Sequence, residues 1–145
     1  MAYCLDTNVL LRIAQPAHPM HSIASDALKN LTVAGEELCV FPQNIREFWN
    51  VASRPADRNG LGLRPKQVEL EVQRIESAFN VIADGPDIQQ EWRRMVSFHG
   101  VSVVQVHDCY LAASVKIRGI HNLLTFNIAD FSRYGITAIA PHQLV

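Results

Sequence analysis

Ala2-Tyr3-Cys4-Leu5-Asp6-Thr7-Asn8-Val9-Leu10-Leu11 decides how the rest of the chain is read. Ala2–Leu5 is a short apolar run, as a buried strand requires. Asp6-Thr7-Asn8 ends it, and this polar trio can cap a helix running through Val9–Ile13. A buried strand that passes through a capping acid into a helix is the opening unit of an alternating α/β chain. It also leaves a carboxylate at the carboxyl end of a strand.

The same alternation continues downstream. Residues 20–34 place Ile23, Ala24, Ala27, Leu28 and Leu31 at helical spacing, and Gly35 stops the helix. Leu38–Phe41 is a second strand, which Pro42 prevents from simply continuing. From Gln43 to Ser53, Ile45, Phe48, Trp49 and Ala52 form an i, i+3, i+4, i+7 stripe. Arg54–Leu63 is a turn-rich loop holding Pro55, Gly60 and Gly62. Pro65 suits the first position of a helix faced by Val68, Val72, Ile75 and Phe79. Val81–Ala83 reads as a weak strand, Pro86 opens a helix to about His99, and Val101–Val104 is apolar. Val106, Cys109, Tyr110, Ala113 and Ile117 mark a helix ended by Gly119. Leu123–Phe126 and Ile136–Ile139 are the last strands. The pattern predicts one α/β domain over residues 1–145, with a mostly parallel sheet between two helical layers.

Composition narrows the class. The chain has 145 residues, 48% hydrophobic and 19% charged, a balance that suits a packed domain and excludes a disordered one. A net charge of −1 gives no global pull toward nucleic acid, so such a partner must meet a local basic patch. Cys4, Cys39 and Cys109 are odd in number and lack CxxC spacing, so they read as buried, reduced thiols. Asp6 and Arg12 interrupt the N-terminal apolar stretch, arguing against a secretory signal, and no run is long enough for a membrane helix. A cytoplasmic setting is expected. Nucleophile-elbow, P-loop and dinucleotide glycine signatures are absent. His18 and His21 have no matching pair elsewhere and read as surface residues. His107, beside Asp108, reads as a polar residue flanking a helix or as a catalytic one.

Ligands of open α/β sheets bind beyond the carboxyl ends of the strands. Asp6 and Asn127 directly follow strands, while Glu47 and Asp108 lie on helices entered just after apolar runs. The four can therefore converge on one sheet edge. Singly, each has a plainer explanation. Asp6 could only cap a helix. Glu47 lies roughly 200° around its helix from Ile45, off the apolar stripe, where periodicity alone would solvate it. Asp108 occupies a first turn, where the macrodipole favours any carboxylate. Asn127 or Asp130 could simply shape a turn.

As an ordered set these segments resemble the PIN domain family, and within it the VapC-like toxins of bacterial toxin–antitoxin pairs. Leu5-Asp6-Thr7-Asn8-Val9-Leu10, Asn44-Ile45-Arg46-Glu47-Phe48-Trp49, His107-Asp108-Cys109-Tyr110-Leu111-Ala112-Ala113 and Leu124-Thr125-Phe126-Asn127-Ile128-Ala129-Asp130-Phe131 are similar to that family's four motifs, in order. The resemblance covers essentially the whole chain. It implies a three-layer α/β/α fold and Asp6, Glu47 and Asp108 as ligands of Mg²⁺ or Mn²⁺, hard ions that prefer carboxylate oxygen. It further implies metal-assisted hydrolysis of RNA by water, with Thr7, Asn8 and Thr125 orienting the ligands. Many relatives place an aspartate where this chain has Asn127, so either Asn127 or Asp130 completes the catalytic set. A homodimer and a small antitoxin that covers the acidic cleft are implied as well.

Basic residues are ten arginines against three lysines. Arg54, Arg58 and Arg64 crowd the loop before the fourth helix and are candidates for gripping RNA or an acidic partner segment. Two other functions compete. A receiver-like signalling domain would need an adjacent acidic pair after the first strand and a late lysine, and this sequence has neither. A catalytically inactive PIN-type RNA-binding module is suggested by Asn127, and metal-dependent turnover separates it from an enzyme.

Overall fold

The computed structural model describes residues 1–145. Five strands form one sheet: β1 (Ala2–Leu5), β2 (Glu37–Val40), β3 (Asn80–Val81), β4 (Asn122–Leu124) and β5 (Thr137–Ile139). Their spatial order is β3-β2-β1-β4-β5, and every neighbouring pair is parallel. Six helices connect them: α1 (Thr7–Ile13), α2 (His21–Val33), α3 (Pro42–Ser53), α4 (Pro65–Ala78), α5 (Pro86–His99) and α6 (Gln105–Ile117).

Side chains alternate between the faces of a strand, and this sorts the core into two halves. Tyr3, Leu5, Val40 and Leu124 join one cluster with Leu10, Leu28, Phe48 and Val72 from α1–α4. Cys4, Cys39 and Leu123 join the other, with Ile88 and Met95 of α5 and Leu111 and Val115 of α6. The result is the expected three-layer α/β/α arrangement. Strands buried on both faces read as unbroken apolar runs, which is why β1 was visible in the sequence.

Several boundaries differ from the sequence reading, for local reasons. Pro42 occupies the first turn of α3 rather than merely ending a strand. The weak strand expected at Val81–Ala83 lies at Asn80–Val81, although Ile82 still donates to Val40 O at 2.9 Å. β4 stops at Leu124 instead of Phe126. Thr125 N–H continues to Ile139 O at 2.9 Å, but Phe126 N–H is captured by Asn8 Oδ1 at 3.2 Å, which turns the chain out of the sheet.

The strand order reverses at β1. The chain builds outward through β2 and β3, then crosses back to place β4 on the other side of β1. The loops leaving β1 and β4 therefore diverge, and a crevice opens beyond their carboxyl ends.

Candidate functional site

Asp6 stands at that crevice. Its N–H donates to Leu124 O at 2.9 Å, tying it to the end of β4, and its carboxylate caps α1. Oδ1 accepts from Thr7 N–H at 2.7 Å, and Oδ2 accepts from Thr125 Oγ1 at 2.8 Å and Asn8 Nδ2 at 3.4 Å. The side chain is only 8% exposed. Burial pushes its pKa up to about 7, against the pull of Thr125 and Thr7 N–H, and the charges of Asp108 and Glu47 push the same way.

Glu47 is half-buried rather than solvated. Thr7 Oγ1 donates to Glu47 Oε1 at 2.9 Å, linking the start of α1 to α3. This correction has a simple cause: a second helix covers the flank of α3 that single-helix periodicity leaves open. Asn44 completes the link. It is fully buried, donates from Nδ2 to Thr7 Oγ1 at 3.4 Å, and accepts Phe41 N–H at 2.9 Å. The sequence reading assigned Asn44 no role. Its signal was an amide at the third helical position, able to reach back to the backbone preceding the helix.

Asp108 lies in the first turn of α6. Trp92 Nε1 of α5 donates to Val106 O at 2.9 Å, and Gln43 Nε2 of α3 donates to His107 O at 2.8 Å, so both neighbouring helices hold this turn. Desolvation first, then the charges of Asp130 and Glu47, raise the Asp108 pKa to about 6, while His107 acts in the opposite sense. The histidine itself is exposed. Gln43 is buried, and with Nε2 committed to His107 its Oε1 meets no protein donor. Such an orphan costs about 1–3 kcal/mol.

The fourth corner is divided between two residues. Asn127 is exposed; its N–H donates to Thr125 Oγ1 at 3.0 Å and its carbonyl accepts Asp130 N–H at 3.1 Å. This starts the 3-10 turn Ile128–Phe131, which carries Asp130 to where its charge is the foremost one acting on Asp108. Asp130 thus brings a carboxylate near Asp108, while the Asn127 backbone begins the turn.

The charges of Glu47 and Asp108 thus reach Asp6, and those of Glu47 and Asp130 reach Asp108. The donor set is all carboxylate oxygen, which fits a hard divalent cation. No three of the acidic, histidine or cysteine side chains form a ready-made metal cage. Cys4, Cys39 and Cys109 are buried and free, as the sequence suggested.

A cleft of about 530 Å³ opens beside Glu47, lined also by Gln43, Arg46, Asn50, Arg54 and His107, among others. Arg54 is set there by a tight return of the loop. Gly62 N–H donates to Arg54 O at 2.8 Å, and a Cβ on Gly60 would sit 2.0 Å from that oxygen. Arg58 and Arg64 are exposed but do not line the cleft. Arg46, unassigned in the sequence reading, does, because it sits one helical turn from Gln43 and from Asn50.

The comparisons agree with this architecture. The PIN domain family profile matches residues 3–136. The chain belongs to the PIN domain family. Among curated proteins, no sequence matches it. Among solved structures, a chain of VapBC2 from Rickettsia felis, bound to a DNA fragment from its promoter, matches with a TM-score of 0.73 at 15% identity, covering 97% of this chain and 98% of that one. DNA-bound VapBC from Salmonella typhimurium gives 0.71 at 17% identity over 97% and 98%. VapC20 from Mycobacterium tuberculosis, a sarcin–ricin loop cleaving toxin, gives 0.65 at 19% identity over 93% and 96%. At these identities the likeness is one of fold. No helix is long and apolar enough to cross a membrane.

Proposed function

We propose that this protein is a metal-dependent endoribonuclease and the toxin of a toxin–antitoxin pair. The observation that carries the reading is the gathering of Asp6, Glu47, Asp108 and Asp130 at the switch point of a PIN-domain sheet, with two of the carboxyls raised well above their usual range. Carboxylates so placed are stabilised by a bound cation.

Asp6, Glu47 and Asp108 would hold Mg²⁺ or Mn²⁺, which supplies Lewis-acid activation of the scissile phosphate and of water. The chain's own contribution is orientation. Thr125, Thr7 N–H and Asn8 fix the Asp6 carboxylate, and Thr7 Oγ1 fixes Glu47. Asp130 adds negative charge beside Asp108, favouring a cation there over a second proton. The nucleophile is water, so no serine or cysteine is required.

The partners follow from the kind of proteins this fold resembles. The VapBC neighbours are toxin–antitoxin assemblies, and we assign to this chain an antitoxin partner and a homodimeric state. The decisive experiment incubates purified protein with RNA and Mg²⁺ or Mn²⁺. Cleavage should occur, stop on chelation, and vanish in Asp6→Asn and Asp108→Asn proteins that remain folded. Normal cutting by either variant would refute the mechanism, and metal-independent RNA binding without turnover would favour the inactive-module reading.

A further inference from the structure

Three surface arginines are neutralised by neighbouring carboxylates: Arg74 by Glu71, Arg94 by Glu91 and Arg118 by Asp87. The other arginines have no carboxylate partner, and of these Arg46, Arg54 and Arg133 are the ones that line clefts beside the site's acids. Arg46 and Arg54 line the α3 cleft with Glu47, yet neither enters an ion pair, because Glu47 takes the hydroxyl of Thr7 instead. Arg133 lines a second, smaller cleft of about 230 Å³ with Gln105, Ser132 and Asp130. Its guanidinium donates to a neutral amide, Gln105 Oε1, at 2.8 Å and lies over the Tyr134 ring, 5.4 Å from the centroid, with no carboxylate partner.

The two clefts flank one centre. Glu47 belongs to the first and Asp130 to the second, and the first turn of α6 joins them: His107 lines the first cleft, Gln105 the second, and Asp108 falls between these two around the helix. Uncompensated cations therefore stand on both sides of a strip of carboxylates. We propose that a single-stranded RNA crosses this strip as one continuous track, its phosphates on one flank held by Arg46 and Arg54 and those on the other by Arg133.

This rests on the nuclease reading for its choice of ligand and goes beyond it in giving the strand a path. Guanidinium groups free of carboxylate partners are ready for phosphate oxygens. Amides also line both clefts, Gln43 and Asn50 on one side and Gln105 on the other, and the buried Gln43 Oε1 has no protein donor. Sugars and bases carry donors and acceptors suited to such groups at the same spacing as the phosphates that the arginines would hold. The arrangement fits a strand that lies across both clefts with one phosphate at the carboxylates.

The test is binding of a fluorescein-labelled single-stranded RNA of roughly 12 nucleotides, read by anisotropy in EDTA so that cleavage does not compete. Arg46→Ala with Arg54→Ala, and separately Arg133→Ala, should each weaken binding by about 5-fold or more and lower the salt slope by about 0.7 per arginine removed. Lys29→Ala, on the exposed face of α2, should leave binding unchanged. Shortening the RNA from one end should abolish sensitivity to Arg133→Ala, and shortening from the other should abolish sensitivity to the α3 pair.

Normal binding by Arg133→Ala, or both sets responding to truncation of the same end, would overturn the track. So would unchanged RNA binding accompanied by lost binding of a glutamate-rich peptide, which would make the surface a protein interface. The two readings fail separately. Wild type that binds RNA in this pattern but never cuts it with Mg²⁺ or Mn²⁺ defeats the nuclease reading alone. Wild type that cuts RNA while every arginine variant binds normally defeats the track alone.

Discussion

A buried carboxyl with a raised pKa makes stability depend on pH in a definite direction. Asp6 keeps its proton in the folded protein up to about pH 7, whereas the unfolded chain releases it near ~3.9. Between those values the native state binds the extra proton, so stability falls as pH rises, by up to about 1.4 kcal/mol per pH unit. In EDTA the melting temperature should therefore drop from pH 5 to pH 8, and Asp6→Asn should remove most of the drop above pH 6, leaving below it the share that Asp108, raised to about 6, contributes. A wild-type profile that rises over this window would contradict the assignment. Thr125 is the neighbouring control. Thr125→Val keeps the shape but removes the donor to Asp6 Oδ2, and calorimetry should show a loss of about 1–3 kcal/mol.

At the scale of elements, α3 and α6 carry most of the site, and their packing sets its precision. Phe48 is fully buried one residue after Glu47. Phe48→Ala should cost about 3–5 kcal/mol in denaturant unfolding, whereas exposed Arg46→Ala should cost little. The turn entering α6 contains a different kind of feature. Val103 adopts φ 49° and is 80% exposed, a left-handed conformation that strains a β-branched residue. Val103→Gly should relieve the strain and raise stability by up to about 1 kcal/mol, net of glycine's greater unfolded-state freedom. A destabilised variant would show that the turn holds this residue without strain.

For the molecule as a whole, the proposed metal would couple to folding. A cation that binds only the assembled carboxylates stabilises the fold by mass action, about 2.7 kcal/mol at a hundredfold excess over Kd. Because it competes with protons on Asp6 and Asp108, Mg²⁺ or Mn²⁺ should raise the melting temperature more at pH 8 than at pH 6. Asp108→Asn should remove most of that gain. An equal shift at both pH values would point to a site elsewhere.

The alternating strands and helices were legible in the chain because each signal is local. β1 is apolar since both its faces are covered, and the helices show their periods because one stripe of each meets the sheet. The acids were legible only as an ordered set. Which of them share a space depended on β4 crossing back to lie beside β1, since that crossover brings Thr125 to Asp6 across a sequence separation of 119 residues. Tertiary packing also decided the fate of Glu47, half-buried once α1 lies against α3, and carried Asp130 toward Asp108 through the turn that Asn127 begins. The pairing of arginines belongs to this level too, because charge neutralisation depends on distances between elements that no single stretch of sequence contains. The amino-acid order alone determined the elements, their layers and the residues available for chemistry. The tertiary structure decided which of those residues face one another, because desolvation and Coulomb repulsion exist only between groups that the fold has brought together.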